Sequence, residues 1–227
     1  MAQQRFNTNA PPHGAYNISG LYAVTPDELN TPALTAKLHA ALRGGVQMVQ
    51  YRNKAANSDL RLLQATALLA LCRSYHVPLI INDHLDLCAQ IDADGLHLGA
   101  TDCDLGAARR LLGADKIIGA SCYNRLDLAE KAQAQGASYV AFGACFVTNT
   151  KPNAVNAPLS LFAEAKKSVH IPLVAIGGIT LENAAQVVDA GADAIAVVNA
   201  LFGARQMDNS TAEDIKSQAA QFKQFFN

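Results

Sequence analysis

The 227-residue chain has no long run of Lys or Arg, no C-x-x-C pair and no uninterrupted apolar segment of membrane-spanning length. Each absence excludes a class of protein. With 18 Lys and Arg against 19 Asp and Glu, the formal net charge is -1, so the overall field offers no attraction for nucleic acid or an anionic membrane. The five cysteines, Cys72, Cys88, Cys103, Cys122 and Cys145, are scattered, and four of them lie in or beside apolar stretches where a thiol behaves as a small hydrophobe. That usage fits a reducing cytoplasm rather than a disulfide scaffold. Residues 1–17 are polar, lack the apolar core of a signal peptide, and are expected to form a loose tail ahead of a single domain over 18–227. A dinucleotide fingerprint, zinc-ligand spacing and a convincingly placed Ser/His/Asp set are missing too. The expected partner is a small molecule.

What is present is a rhythm. From Ser19 onward, short apolar runs alternate with longer Ala/Leu-rich segments, the pattern of repeated β-α units around a parallel sheet. Strands are expected at 20–25, 46–50, 78–81, 94–97, 116–120, 139–142, 172–176 and 194–198. Helices are expected at 31–42, 58–75, 85–90, 105–112, 126–135, 159–168, 181–190 and 211–226. In the second helix Ser58 is a plausible N-cap, and Leu60, Leu63, Ala67 and Leu71 would make the inward stripe. About eight such units, in a chain of this length, fit an α/β fold of the (β/α)8 TIM-barrel type. An open doubly wound sheet competes, but no Gly-rich turn follows the first strand.

The chain is organised around residues 46–54, V-Q-M-V-Q-Y-R-N-K. Strand alternation would put Val46, Met48, Gln50, Arg52 and Lys54 on one face, apolar at its start and cationic at its end. This is either an anion site or a strand running out into a charged loop. In a barrel the chemistry sits at the C-terminal ends of the strands, and the polar residues cluster there. Gln50, Arg52 and Lys54 follow the second strand, Asn82 and Asp83 the third, Asp102 the fourth, Ser121 the fifth, and Asn199 the eighth. Asp83 and Asp102 could share Mg²⁺, or serve respectively as a turn residue and a helix N-cap. Thr148, Thr150 and Lys151 lie in a long loop, 143–158, whose hydroxyls and cation suit a phosphate. Gly177 and Gly178 let the backbone approach a ligand after the seventh strand, where many barrels bind phosphate. His97 reads as a satisfied barrel histidine, and Cys122 is the one thiol worth watching.

Several separated motifs then resemble the thiamine-phosphate synthase family: Q-Y-R-N-K at 50–54, I-N-D at 81–83, G-L-H-L-G-x-x-D at 95–102, G-A-S at 119–121, T-N-T-K at 148–151, and A-I-G-G-I at 175–179 with Asn183. The resemblance implies transfer of a hydroxymethylpyrimidine group from its diphosphate to thiazole phosphate, with release of pyrophosphate and Mg²⁺ as cofactor. It implies that Gln50, Arg52, Lys54 and Asn82 hold the pyrimidine diphosphate, that Asp83 and Asp102 hold Mg²⁺, and that Ser121 and Lys151 contact the diphosphate. Thr148, Thr150, Gly178, Val198 and Asn199 would bind the thiazole phosphate. The chain departs from the family at Asn199, commonly Ser, at Ala144, usually Pro, at Ala100, commonly Gln, and in lacking a Gly after T-N-T-K. The alternatives are a thiazole tautomerase-like enzyme, which generally lacks the full diphosphate and metal set, and a non-catalytic barrel that binds thiamine precursors. A homo-oligomer is compatible with the sequence.

Overall fold

Short, apolar and nearly all buried, the strands are β1 (Gly20–Val24), β2 (Met48–Tyr51), β3 (Leu79–Asn82), β4 (Gly95–Leu98), β5 (Ile117–Tyr123), β6 (Tyr139–Phe142), β7 (Leu173–Ile176) and β8 (Ala194–Val197). In the computed structural model they pair in sequence order, all parallel, and β1 bonds to β8 to close the barrel. The structure describes residues 17–99, 102–147, 155–203 and 211–226. Nearly all of the expected tail, and the loop residues Thr148, Thr150 and Lys151, lie outside them.

Helices α1 (Thr31–Arg43), α2 (Ser58–Ser74), α3 (Leu85–Gln90), α4 (Leu105–Leu112), α5 (Leu126–Ala134), α6 (Ser160–Ala165) and α7 (Ala184–Asp189) each follow the strand of the same number. After β8 comes a single turn, α8 (Asn199–Phe202), which the periodicity does not predict, and then α9 (Ala212–Lys223). Thr211 starts α9 with a reciprocal capping box to Asp214.

Three expectations about local structure are corrected. Asn57, not Ser58, caps α2, its side chain accepting from the Leu60 N–H at 2.9 Å. The buried face of α2 is Gln64, Ala65, Leu68, Leu69 and Cys72, while Leu63 is 59% exposed. An apolar tally misjudges that face because its first member, Gln64, is polar and is buried to serve a hydrogen-bond network. Strand β2 also begins at Met48 rather than Val46, so Val46 packs in the outer layer and the inward row starts with Met48.

The core has two layers. The outer one lies between strands and helices, with Leu38, Leu68, Ile81, Phe142, Phe162 and Phe222 among its members. The inner one fills the barrel with Tyr22, Val24, Met48, Ile80, Ile117, Tyr139, Ala141, Val174, Ala194 and Ala196. Small residues make room for large ones there. Gly119 pairs with Tyr139 across β5 and β6, and a Cβ on Gly119 would sit 2.0 Å from Tyr139 Cζ. The glycine is what lets a tyrosine ring lie across the barrel axis.

Gly119→Ala is therefore expected to cost about 1–3 kcal/mol, the usual range for overpacking a filled core. Urea denaturation checks this; an unchanged midpoint would show that the Tyr139 ring has room to retreat.

Candidate active site

Gln50, Arg52 and Lys54 enter a cavity of about 790 Å³ at the C-terminal end of the barrel. The same cavity is lined by Asn82, Asp83, His97, Asp102 and Ser121, and on its other side by Gly177, Gly178, Val198 and Asn199. Every sequence-predicted site residue within the described residues thus faces one space.

The cationic wall is held from behind. The intervening residues of Q-Y-R-N-K point outward, as alternation demands. Asn53 Nδ2 donates to Glu28 O at 2.7 Å and to Gln64 Oε1 at 2.9 Å, and Tyr51 Oη donates to the same Gln64 oxygen at 2.9 Å. Thr25 Oγ1 exchanges hydrogen bonds of 2.9 Å with the backbone N–H and C=O of Arg52. Asp27 then accepts from the Lys54 backbone N–H at 2.8 Å and from Arg52 Nη1 at 3.4 Å. These bonds pin the loop while the Lys54 side chain stays exposed.

Beside that wall, after the next two strands of the ring, lie the carboxylates. Asp83 adopts a left-handed turn (φ 64°) at the end of β3, and its N–H donates to His97 O at 2.9 Å. Burial, and then the Asp102 carboxylate beside it, hold the Asp83 carboxyl above its ordinary value; Lys54 and the Asn82 side chain oppose them. Asp102 is not the helix cap. Asp104 caps α4 by accepting from Ala107 N–H at 2.8 Å, leaving the Asp102 carboxylate to accept from Gly99 N–H at 2.6 Å inside the cavity wall.

The third wall is backbone. Cys145 N–H donates to Ile176 O and Phe146 N–H to Gly177 O, each at 3.0 Å, so the chain leaving β6 is zipped to the turn after β7. A Cβ on Gly178, whose φ is 67°, would lie 2.4 Å from Val147 O. The paired glycines therefore admit the neighbouring chain. Val147 and Val155, on either side of the undescribed loop residues, line the cavity. Asn183 secures the turn by donating to Gly178 O and accepting from Thr180 N–H, at 3.0 and 2.8 Å.

Tyr22, Tyr123 and Tyr139 escape the sequence reading. Tyr22 lies on the inward row of β1 with Val24, so alternation could have found it. Tyr123 follows a register shift in β5 and has φ 53°, which nothing in the sequence signals. Both line the cavity; Tyr139 lies beneath it, bonded to Tyr22. His97 is satisfied as expected, yet it also lines the cavity. Cys122 is no nucleophile: it is buried, and burial pushes its thiol up to about 12.

Known proteins resemble this chain in sequence and in fold. A family model described as thiamine monophosphate synthase matches residues 21–201. The thiamine-phosphate synthase of Methylobacillus flagellatus is 54% identical over 95% of this chain and 99% of its own, and that of Nitrosomonas eutropha 50% over 95% and 98%. Among solved structures, thiamine phosphate pyrophosphorylase from Pyrococcus furiosus superposes with a TM-score of 0.79 at 32% identity, covering 91% of this chain and 95% of that one. The chain belongs to the thiamine monophosphate synthase family.

Proposed function

We propose that the protein is a thiamine-phosphate synthase. It joins 4-amino-2-methyl-5-hydroxymethylpyrimidine diphosphate to 4-methyl-5-(2-phosphooxyethyl)thiazole, or its carboxylated form, giving thiamine phosphate and pyrophosphate. The observation that carries this reading is that Arg52 and Lys54 stand beside the crowded pair Asp83 and Asp102 in one cavity. Cations beside paired carboxylates, after neighbouring strands, suit a diphosphate with a divalent metal. Neither a phosphate site nor a metal site alone accounts for both.

The donor set fits Mg²⁺. Two adjacent carboxylates repel each other, and a hard cation between them removes that cost. Among the described residues no group of three His, Cys, Asp or Glu could hold a metal, so a Mg²⁺ held by Asp83 and Asp102 would take its remaining ligands from water and substrate phosphate. When bound, Mg²⁺ would neutralise charge on the departing pyrophosphate.

The chain's own residues do the remainder. Arg52 and Lys54, with Lys151 from the loop, stabilise the negative charge that grows as the methylene–oxygen bond breaks. Gln50 commits its amide nitrogen to Tyr22 at 2.9 Å and keeps its amide oxygen for the aminopyrimidine. Asn82 binds beside it and Ser121 reaches the diphosphate. The thiazole nitrogen captures the cation-like methylene, so no protein nucleophile is required. Gly178, Val198 and Asn199, at the turns after β7 and β8, hold the thiazole phosphate together with Thr148 and Thr150 of the loop. Water is kept out by Tyr22, Val24, Val174 and Ile176 on the cavity floor.

With both substrates and Mg²⁺, purified protein is expected to release pyrophosphate and form thiamine phosphate, and to release none when either substrate is omitted. Binding of thiazole phosphate without either product would favour the tautomerase-like or non-catalytic reading.

A second expectation concerns Asp83→Asn, which keeps the left-handed turn. It abolishes Mg²⁺-dependent turnover. A raised carboxyl value means the folded state holds its proton more tightly than the unfolded state, so ionisation costs stability as pH rises above about 4. In chelator-treated protein the Asn variant should therefore melt higher than wild type at pH 7, with the difference shrinking toward pH 4. Thermal melts at several pH values check this, and a variant that melts lower at pH 7 would contradict the carboxylate crowding.

A further inference from the structure

Beneath the cavity the barrel holds an unbroken file of side-chain hydrogen bonds. Gln50 Nε2 donates to Tyr22 Oη at 2.9 Å, and Tyr22 Oη lies 2.8 Å from Tyr139 Oη. Tyr139 Oη lies 2.9 Å from His97 Nδ1, and His97 Nε2 lies 2.8 Å from Ser121 Oγ. Five strands contribute one residue each. Tyr22 and Tyr139 are 1% and 0% exposed, so neither hydroxyl can turn to bulk water for a partner.

Such a file has only two consistent directions. Each hydroxyl carries one proton, and a neutral imidazole has one N–H and one bare nitrogen. The amide nitrogen of Gln50 can only donate. Tyr22, having accepted from it, gives its own proton to Tyr139, which gives its proton to His97 Nδ1. His97 then carries its proton on Nε2 and donates to Ser121 Oγ. The Ser121 proton is left to point into the cavity, toward the anion held by Arg52 and Lys54. The opposite direction would leave the Tyr22 proton without an acceptor and turn Ser121 lone pairs toward that anion.

We infer that Gln50, Tyr22, Tyr139 and His97 form a polarised hydrogen-bond file that makes Ser121 a donor to the diphosphate, Tyr22, Tyr139 and His97 acting as positioning residues. The inference rests on reading the cavity as the diphosphate site. No proton changes owner along the file; its role is to fix a tautomer and orient one hydroxyl. Packing supports the same residues, since the His97 ring stacks on Tyr139 with centroids 5.6 Å apart and planes 24° apart, and Gly119 supplies the space.

The direct test is ¹⁵N NMR of histidine-labelled, ligand-free protein, with the His97 signals assigned by their loss in His97→Asn. A neutral ring protonated at Nε2 is expected. Protonation at Nδ1, or at both nitrogens, would overturn the inference. This readout needs no turnover, so it stands or falls separately from the synthase reading, which the product assay decides. The kinetic arm uses Tyr139→Phe, which keeps the stacked ring and removes only the hydroxyl. It is expected to lower kcat about ten-fold with little change in KM, because the Ser121 bond strengthens as charge gathers on the leaving group. In a Ser121→Ala background the same change should have no further effect; a second, multiplicative loss would show that Tyr139 does not act through Ser121.

Discussion

Closure of the ring by the β1–β8 pairing is the constraint on which everything else rests. Leu21 opposite Ile195 and Tyr22 opposite Ala196 join the first strand to the last. Eight parallel strands in one closed ring must all end at the same rim. Residues as distant in the chain as Arg52 and Asn199 are therefore brought to one cavity by topology before any side chain interacts. No edge remains exposed, and the hydrogen bonds of each short strand are shared with two neighbours.

The barrel interior is too narrow for large residues on every strand. Gly95, Gly119, Ala141, Ala194 and Ala196 give up volume so that Tyr22, Tyr139 and His97 can cross it. A Cβ on Gly95 would meet Ile117 O at 2.3 Å, which shows how little slack the other glycine position leaves. Burying three polar side chains in so tight a space is tolerable only if they satisfy one another. Their mutual hydrogen bonds make the floor of the cavity stiff, and a stiff floor sets where Gln50 and Ser121 present their polar atoms.

The rim is held by a different means. Its loops are tied to each other by side-chain caps and backbone bonds: Asp27 and Thr25 hold the Arg52 loop, Gln64 holds Asn53, and Asn183 holds the turn at Gly178. The side chains of Lys54 and Val147, by contrast, are exposed. The floor is thus locked by hydrogen bonds while part of the rim is left to solvent.

Local pattern sufficed for much of this. The alternation of Gln50, Tyr51, Arg52 and Asn53 placed the cavity-lining residues inside and their supports outside, because a strand's period is two whatever surrounds it. The same logic located the polar residues at the strand ends, and hence one site. It failed where a decision depended on partners far along the chain. Whether Asp102 or Asp104 caps α4, and whether α2 buries Leu63 or Gln64, depended on what stood opposite each side chain. The file from Gln50 to Ser121 is the extreme case, for Tyr22 and Tyr139 are 117 residues apart. The amino-acid sequence determined the barrel, its active rim and the chemical kind of each wall, since those follow from periodicity and residue type. Only the tertiary structure decided which buried polar atoms meet, because a hydrogen bond is set by distance in space and carries no trace in local order.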